Sequence, residues 1–249
     1  MVNESIIRFW EIDLLRGIAV VMMIFFHFLY DLNFFEILCL NLYKGYFLLY
    51  VYIGGMLFFI LVGVSLTLSY SIVKMSFTKN KLRLKFISRG LKIFGLGLFI
   101  TFISYIFLNE GFIVFGALHC IGLSIILAYP FLNFRYINLL FGSILIFFGI
   151  ILKSLTFDFY WLLWVGFIPK TFYTVDYFPI VPWLGIILIG IFIGNEIYSG
   201  HVRKFNLIDI SDNRIIRLFT FLGKHSLIIY FIHQPILLSI IYLYLNYIK

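Results

Sequence analysis

Long uncharged apolar runs recur from one end of this chain to the other. The 249 residues are 63% hydrophobic and only 12% charged, whereas soluble domains carry about 25% charged residues. The runs are too long for barrel strands, which alternate over about 10 residues. Because lipid offers no hydrogen bonds, the backbone of each run must be paired within its own segment. The sequence therefore predicts an all-α polytopic transmembrane helix bundle, with residues 1–249 forming a single integral-membrane domain.

We expect about seven spans, each near the length of roughly 20 residues that a bilayer requires. The longest connection, residues 153–179, contains the stretch FDFYWLLWVGF, which is rich in interfacial aromatic residues. It predicts a short helix that lies at the membrane surface or folds back into the bundle. In the sixth span Gly190 and Gly194 form a G-xxx-G step, which predicts close helix packing. The predicted spans are 12–30, 46–73, 86–108, 113–131, 137–152, 180–198 and 221–247.

The basic residues predict the orientation of the chain. Most of the 19 Lys and Arg residues fall in the connection 74–92, in the connection after Ser199, and near the N-terminus. Cytoplasmic loops carry such an excess, so the N-terminus is expected in the cytoplasm and the C-terminus outside. The basic residues flank spans, so the net charge of +8 indicates a lipid bilayer and no nucleic acid as partner. The basic residues expected on the outer side are Lys44, Lys153, Lys170 and Lys249.

The first span, RFWEIDLLRGIAVVMMIFFHFLYD, carries polar groups on one stripe. Arg16 and His27 are eleven residues apart, which is about three helical turns and about 16 Å along the axis. Asp13 and Asp31 flank the same stripe. Such a helix suits a long ligand that lies across the membrane, charged at its cytoplasmic end and reactive at its outer end.

His27 has three interpretations. Ionisable groups within spans are costly and often functional, so His27 is a candidate general base, with Asp31 orienting its ring and stabilising the protonated form. It is alternatively a neutral core histidine bonded to a carbonyl, or a proton relay or ion ligand. Asp31, in turn, is alternatively an interfacial anchor or a partner of Lys44.

Two further histidines lie at membrane depth. His119 lies about 9 Å into the fourth span, close to the depth of His27, so the two are candidates to line one outer cavity. Helix packing is an equal alternative for His119. His233 and Gln234 precede Pro235, which frees backbone carbonyls that either side chain can cap. A structural use is favoured for His233.

Arg16 also has two interpretations. It pairs with Asp13 at spacing i, i+3, or it joins Arg89 and Lys92 in a cytoplasmic basic cluster that holds phosphates. Arg89 and Lys92 are alternatively anchors of their own helix. The two cysteines form neither a disulfide framework nor a metal motif, and no nucleotide-binding or hydrolase motif is present. We expect no metal.

Three segments resemble one family of membrane enzymes. EIDLLRGIAVVMMIFFH, FGALHCIGLSIILAYP and LGKHSLIIYFIHQPIL resemble the catalytic-domain family of heparan-α-glucosaminide N-acetyltransferase. The spacing of Arg16 and His27 is also similar to that in the family that O-acylates bacterial surface polysaccharides. The resemblance implies an acyltransferase that takes an acyl group from acetyl-CoA or another acyl-CoA on the cytoplasmic side. The acceptor would be an amine or hydroxyl of a sugar or glycan reached from outside.

The favoured hypothesis, a multi-pass acyltransferase, gives a role to each candidate residue. Asp13, Arg16, Arg89 and Lys92 would hold the donor, and His27, Asp31 and His119 would carry the chemistry. His233 and Gln234 would bind the acceptor. Direct transfer and an acetyl-histidine intermediate are both left open, and so is a homodimer. The composition, rich in Ile, Lys, Asn, Tyr and Phe, is typical of an AT-rich microbial genome, so we expect the plasma membrane of a prokaryote.

Two other functions are consistent with these residues. The buried histidines also suit a proton-coupled transporter, although the sequence shows no internal repeat of the kind that many transporters contain. The third hypothesis is a non-enzymatic protein that assists assembly of the cell envelope.

Overall fold

The computed structural model describes residues 8–42, 44–108, 110–199 and 202–247, so Lys249 lies outside the described residues. These ranges contain a 3-10 turn, Tyr129–Phe131, and a small hairpin of β1, Tyr198–Ser199, and β2, Val202–Arg203. They also contain the helices α1 (Trp10–Phe34), α2 (Gly45–Lys74), α3 (Lys79–Phe107), α4 (Ala117–Ala128), α5 (Tyr136–Lys153), α6 (Ile180–Ile197), α7 (Arg214–Lys224) and α8 (Ser226–Tyr247).

Six of the described helices, α1, α2, α3, α5, α6 and α8, are long and apolar enough to cross a membrane. Helix α4 with the following turn forms a shorter apolar helix, Ala117–Phe131. The predicted all-α polytopic bundle is therefore confirmed. The span predicted at 113–131 begins later, because Phe115 pairs with Tyr177 in a β-bridge and Gly116 is extended.

Two predictions about the connections and boundaries are wrong. The span predicted at 221–247 is two helices, because His225 leaves the helical conformation and its N–H closes α7 on the Phe221 and Leu222 carbonyls. The connection 154–179 contains turns and isolated bridges in place of the predicted short helix. Gly166 has a φ of +135° there, a conformation that interrupts a helix and that other residues rarely adopt.

The chain divides into two compact units. The first contains α1, α2 as far as Leu61, α7 and α8. Its helices α1 and α7 meet with no side chain between their backbones. A Cβ atom at Gly17 would overlap the Phe219 carbonyl oxygen, and one at Gly223 would overlap the Asp13 carbonyl oxygen. Tyr50 of α2 donates a hydrogen bond to the Met22 carbonyl oxygen at 3.1 Å.

The second unit, residues 62–206, contains the rest of α2, α3, α4, α5, α6 and the hairpin. Its helices also approach closely at glycines. A Cβ at Gly122 of α4 would lie 2.7 Å from the Gly90 carbonyl oxygen of α3. A Cβ at Gly194 would overlap the side chain of Thr67, in agreement with the close packing predicted from the G-xxx-G step.

Asp176 fixes the start of α4 within the second unit. Its Oδ2 accepts a hydrogen bond from the Ala117 N–H at 3.3 Å, so it satisfies one of the unpaired amides at the helix N-terminus. Burial raises the pKa of Asp176 to about 6, and the hydrogen bond from Ala117 partly opposes that rise. The same connection is held by Tyr177, whose hydroxyl donates to the Leu163 carbonyl oxygen at 2.7 Å.

We predict that Gly17→Ala and Gly223→Ala each lower the melting temperature of the detergent-solubilised protein. The added methyl group must push two helix backbones apart, and overpacking of this kind costs about 1–3 kcal/mol. Gly95→Ala in α3 is the matched control, because no neighbouring atom lies within 4 Å of the position that an added Cβ would take there. Unchanged melting of both the Gly17 and the Gly223 variants would contradict the close backbone contact.

We also predict a pH dependence of stability that comes from Asp176. A carboxyl whose pKa is higher in the folded state binds its proton more tightly there, so stability falls as the pH rises from about 4 to about 6. The slope from one such group is at most about 1.4 kcal/mol per pH unit. Asp176→Asn, which keeps an oxygen acceptor for Ala117, should remove this contribution from melting curves measured across that range.

Asp158→Asn is the control for the pH experiment. Asp158 is exposed and pairs with exposed Lys170 at 2.9 Å, and surface ion pairs contribute little to stability. If the Asp176 and Asp158 variants show the same pH dependence as the wild type, burial of Asp176 does not influence folding.

Candidate functional site

Two histidines that are far apart in the sequence meet in the first unit. The ring centroids of His27 in α1 and His233 in α8 are 4.9 Å apart, with an interplanar angle of 66°. Sequence reasoning considered the two residues separately and missed their contact. The available signal was that each of the three family-like segments places a histidine within an apolar helix, but this pattern does not reveal which two histidines meet.

Hydrogen bonds to the backbone define the tautomer of both rings. His27 Nδ1 lies 2.9 Å from the Met23 carbonyl oxygen, and His233 Nδ1 lies 2.8 Å from the Tyr230 carbonyl oxygen. A carbonyl oxygen only accepts, so each Nδ1 carries the proton and donates it. In a neutral imidazole the other nitrogen, Nε2, then holds a lone pair and can act as a base. His233 Nε2 is buried and has no hydrogen-bond partner among the described residues.

Asp31 and Gln234 lie further along the same two helices. Gln234 Nε2 donates a hydrogen bond to Asp31 Oδ1 at 2.8 Å. Asp31 Oδ2 and Gln234 Oε1 are buried without a hydrogen-bond partner in the described part of the chain. Asp31 therefore accepts a hydrogen bond from Gln234, and His27 donates one to the Met23 carbonyl oxygen. The structure, which describes both residues, shows no hydrogen bond between the Asp31 and His27 side chains.

These four side chains form what we call the acceptor-atom cluster: His27, Asp31, His233 and Gln234. Its unpartnered buried atoms, His233 Nε2, Asp31 Oδ2 and Gln234 Oε1, can all accept hydrogen bonds. A buried polar atom without a partner costs about 1–3 kcal/mol. A bound molecule that donates hydrogen bonds to these atoms would supply their missing partners.

The other end of the α1 stripe carries paired charges. Arg16 Nη1 lies 2.8 Å from Asp13 Oδ1, as the i, i+3 spacing predicted. Arg8 Nε lies 3.4 Å from Asp13 Oδ2, and the Asp13 side chain is buried. Helix α1 is continuous from Trp10 to Phe34, so Arg16 and His27 are about 16 Å apart along one stripe.

Arg89 and Lys92 belong to the second unit, and both are exposed on α3. The buried face of α3 contains Leu82, Phe86 and Gly90, and Lys92 lies more than 90° around the helix from that face. A joint phosphate site of these residues with Arg16 stays a prediction.

His119 also belongs to the second unit, where both of its ring nitrogens have partners. Nδ1 accepts the Gly116 N–H at 3.2 Å, and Nε2 lies 3.3 Å from Thr101 Oγ1. That hydroxyl donates to the Ile113 carbonyl oxygen at 2.7 Å, so it accepts from Nε2–H. This arrangement is typical of a histidine that fixes the local structure, and a part for His119 in acetyl transfer stays a prediction.

No group of three or more His, Cys, Asp or Glu side chains that could hold a metal ion is found among the residues that the structure describes. Cys120 is buried in α4, with Sγ 3.7 Å from the Pro179 carbonyl oxygen, and Cys39 is exposed and free. Neither cysteine lies in the acceptor-atom cluster.

Comparison with known protein families identifies the family of this chain. The family model described as "Heparan-alpha-glucosaminide N-acetyltransferase, catalytic" matches residues 8–235, which include the whole α1 stripe and the acceptor-atom cluster. No curated protein and no solved structure matches the chain. The match covers most of the sequence and indicates a membrane acetyltransferase. The chain belongs to the family of the heparan-alpha-glucosaminide N-acetyltransferase catalytic domain.

Proposed function

We propose that this protein is a transmembrane acyltransferase of a prokaryotic plasma membrane. It transfers an acetyl group, or another acyl group, from acyl-CoA on the cytoplasmic side to an amine or hydroxyl of a sugar- or glycan-type acceptor on the outer side. The family match supports the reaction type. The distribution of Lys and Arg supports the orientation.

One observation carries this proposal: the contact of His27 with His233, with both Nδ1 atoms donating to backbone carbonyls. His27 Nε2 then holds the lone pair that takes a proton from the amine or hydroxyl of the acceptor sugar. As that proton leaves, the nitrogen or oxygen of the sugar attacks the thioester carbonyl carbon. The carbon–sulfur bond breaks, coenzyme A leaves as the thiolate, and the proton passes from His27 to the sulfur. Atoms and charge balance with no further reactant.

The remaining side chains support this chemistry from both ends of α1. The His233 ring contacts the His27 ring, and buried Asp31 lies one helical turn further along α1. A carboxylate near an imidazolium stabilises that cation, and this is the role that we propose for Asp31. Gln234 Oε1 and His233 Nε2 are available to accept hydrogen bonds from the acceptor sugar. Arg16, held by buried Asp13, presents its guanidinium to donor phosphates. In the same proposal Arg89 and Lys92 hold coenzyme A phosphates together with Arg16, and His119 lines the acceptor pocket or assists His27.

We predict that His27→Ala lowers the rate of acetyl transfer by about 10²–10⁴-fold, the usual contribution of a general base. His225→Ala is the matched control, because His225 Nδ1 bonds the carbonyl oxygen four residues back, as His27 does. His225 lies outside the acceptor-atom cluster, so its variant should retain activity. A folded His27→Ala protein that binds acetyl-CoA and transfers acetyl at the wild-type rate would remove His27 from this role.

We predict that Arg16→Gln weakens binding of acetyl-CoA about tenfold or more, because a hydrogen bond to a charged group contributes about 1.5–3 kcal/mol. S-acetylpantetheine, a donor without the phosphates of coenzyme A, should bind the variant and the wild type equally. Both affinities are measured by titration calorimetry. Arg16→Lys, which keeps the charge that faces Asp13, controls for loss of the ion pair. Equal weakening for both donors would contradict a phosphate-binding role.

The His27–His233 contact also suits the proton path of a transporter, the alternative function. The two functions are separated by whether acetyl-CoA raises the melting temperature and whether a pH gradient drives solute uptake into proteoliposomes. Uptake without stabilisation by acetyl-CoA would favour the transporter. A non-enzymatic assembly protein would show neither effect.

A further inference from the structure

The first half of α3 is strongly basic and has no acidic residue near it in the sequence. Between Glu36 and Glu110 the chain contains no Asp or Glu. Lys81, Lys85 and Lys92 are exposed on this helix, and we call them the lysine stripe. No ion pair joins any of the three to a carboxylate within the described ranges.

The lysine stripe lies on the side of α3 that points away from the other helices of the second unit. Counting 100° per residue, its three positions fall roughly 100–140° from the centre of the buried face formed by Leu82, Phe86 and Gly90. Beside the stripe runs a row of leucines at seven-residue spacing. Leu84, Leu91 and Leu98 are 64%, 57% and 53% exposed.

Apolar side chains also surround the start of the lysine stripe. Met75 is 90% exposed and Phe77 is 42% exposed in the turn before α3. Lys85 Nζ lies 5.3 Å from the centroid of the Phe77 ring. Exposed apolar residues interleaved with lysines are typical of a surface at the boundary between acyl chains and headgroups.

We propose that the lysine stripe binds the headgroups of anionic phospholipids. Helix α3 is long and apolar enough to span a membrane, so its exposed leucine row contacts acyl chains. The lysine stems extend along that apolar surface and place their ammonium groups at the headgroup level. Clusters of basic residues next to a membrane span attract anionic lipids, and here no described carboxylate competes for the charges. The partner is a lipid headgroup. Lys81 and Lys85 have no part in the proposed donor site, so the lipid site is tested at these two residues with Lys92 unchanged.

The test is native mass spectrometry of the full chain in mixed micelles of phosphatidylglycerol and phosphatidylcholine. The wild type should retain phosphatidylglycerol in preference to phosphatidylcholine, and high salt should abolish that preference. Lys81→Gln/Lys85→Gln, which leaves Lys92 intact, should reduce the preference by roughly fivefold for each lysine removed. Lys81→Arg/Lys85→Arg should retain it.

The matched control is Arg217→Gln/Lys224→Gln, which removes the same charge from two exposed residues of α7 and should leave the preference unchanged. A wild type without a preference for phosphatidylglycerol would overturn the proposal. An equal loss in the control variant would also overturn it, because binding would then follow net charge. Equal melting temperatures in phosphatidylcholine alone establish that the variants are folded.

Discussion

The candidate site depends on the direct backbone contact between α1 and α7. Gly17 and Gly223 leave no side chain between the two helices, so the chain that follows α7 starts close to the first span. Helix α8 begins two residues later, and seven residues into it His233 reaches the ring of His27. Glycine at both positions is therefore required because the helices are so close. Van der Waals packing of this kind drives helix association in lipid, where apolar burial supplies little.

This contact explains why family-like segments lie at opposite ends of the sequence. The segment with Arg16, Gly17 and His27 packs against the segment with Gly223 and His233. Together they supply His27, His233 and Gln234 of the acceptor-atom cluster, and Asp31 follows the first segment by one helical turn. The third segment, which contains His119, lies in the second unit, where its histidine is bonded to Gly116 and Thr101. Two of the three segments therefore meet in the acceptor-atom cluster, whereas the histidine of the third has the hydrogen bonding of a structural residue in the second unit.

Local periodicity was sufficient to predict part of this site. The helical repeat placed Asp13, Arg16, His27 and Asp31 on one stripe, and the structure has one unbroken helix there with the predicted Arg16–Asp13 pair. Periodicity within one helix cannot specify which helix faces it, so the contacts of His27 with His233 and of Asp31 with Gln234 were missed. The break at His225 was missed because only the short stretch 223–226 separates the apolar residues of α7 from those of α8, whereas the backbone amide of His225 closes α7. The short helix in the connection 154–179 was predicted from the interfacial composition of that stretch. Composition does not reveal that Gly166 has a positive φ, a conformation that interrupts a helix.

In the proposed function, one continuous helix links a donor on one side of the membrane to an acceptor on the other. The most direct measurement uses sealed proteoliposomes with labelled acetyl-CoA outside, an amino sugar trapped inside, and the protein oriented with its basic loops outward. If α1 links the two sides in this way, acetylated sugar accumulates in the lumen while coenzyme A stays outside. Acetylation that occurs only when donor and sugar share one compartment would contradict it.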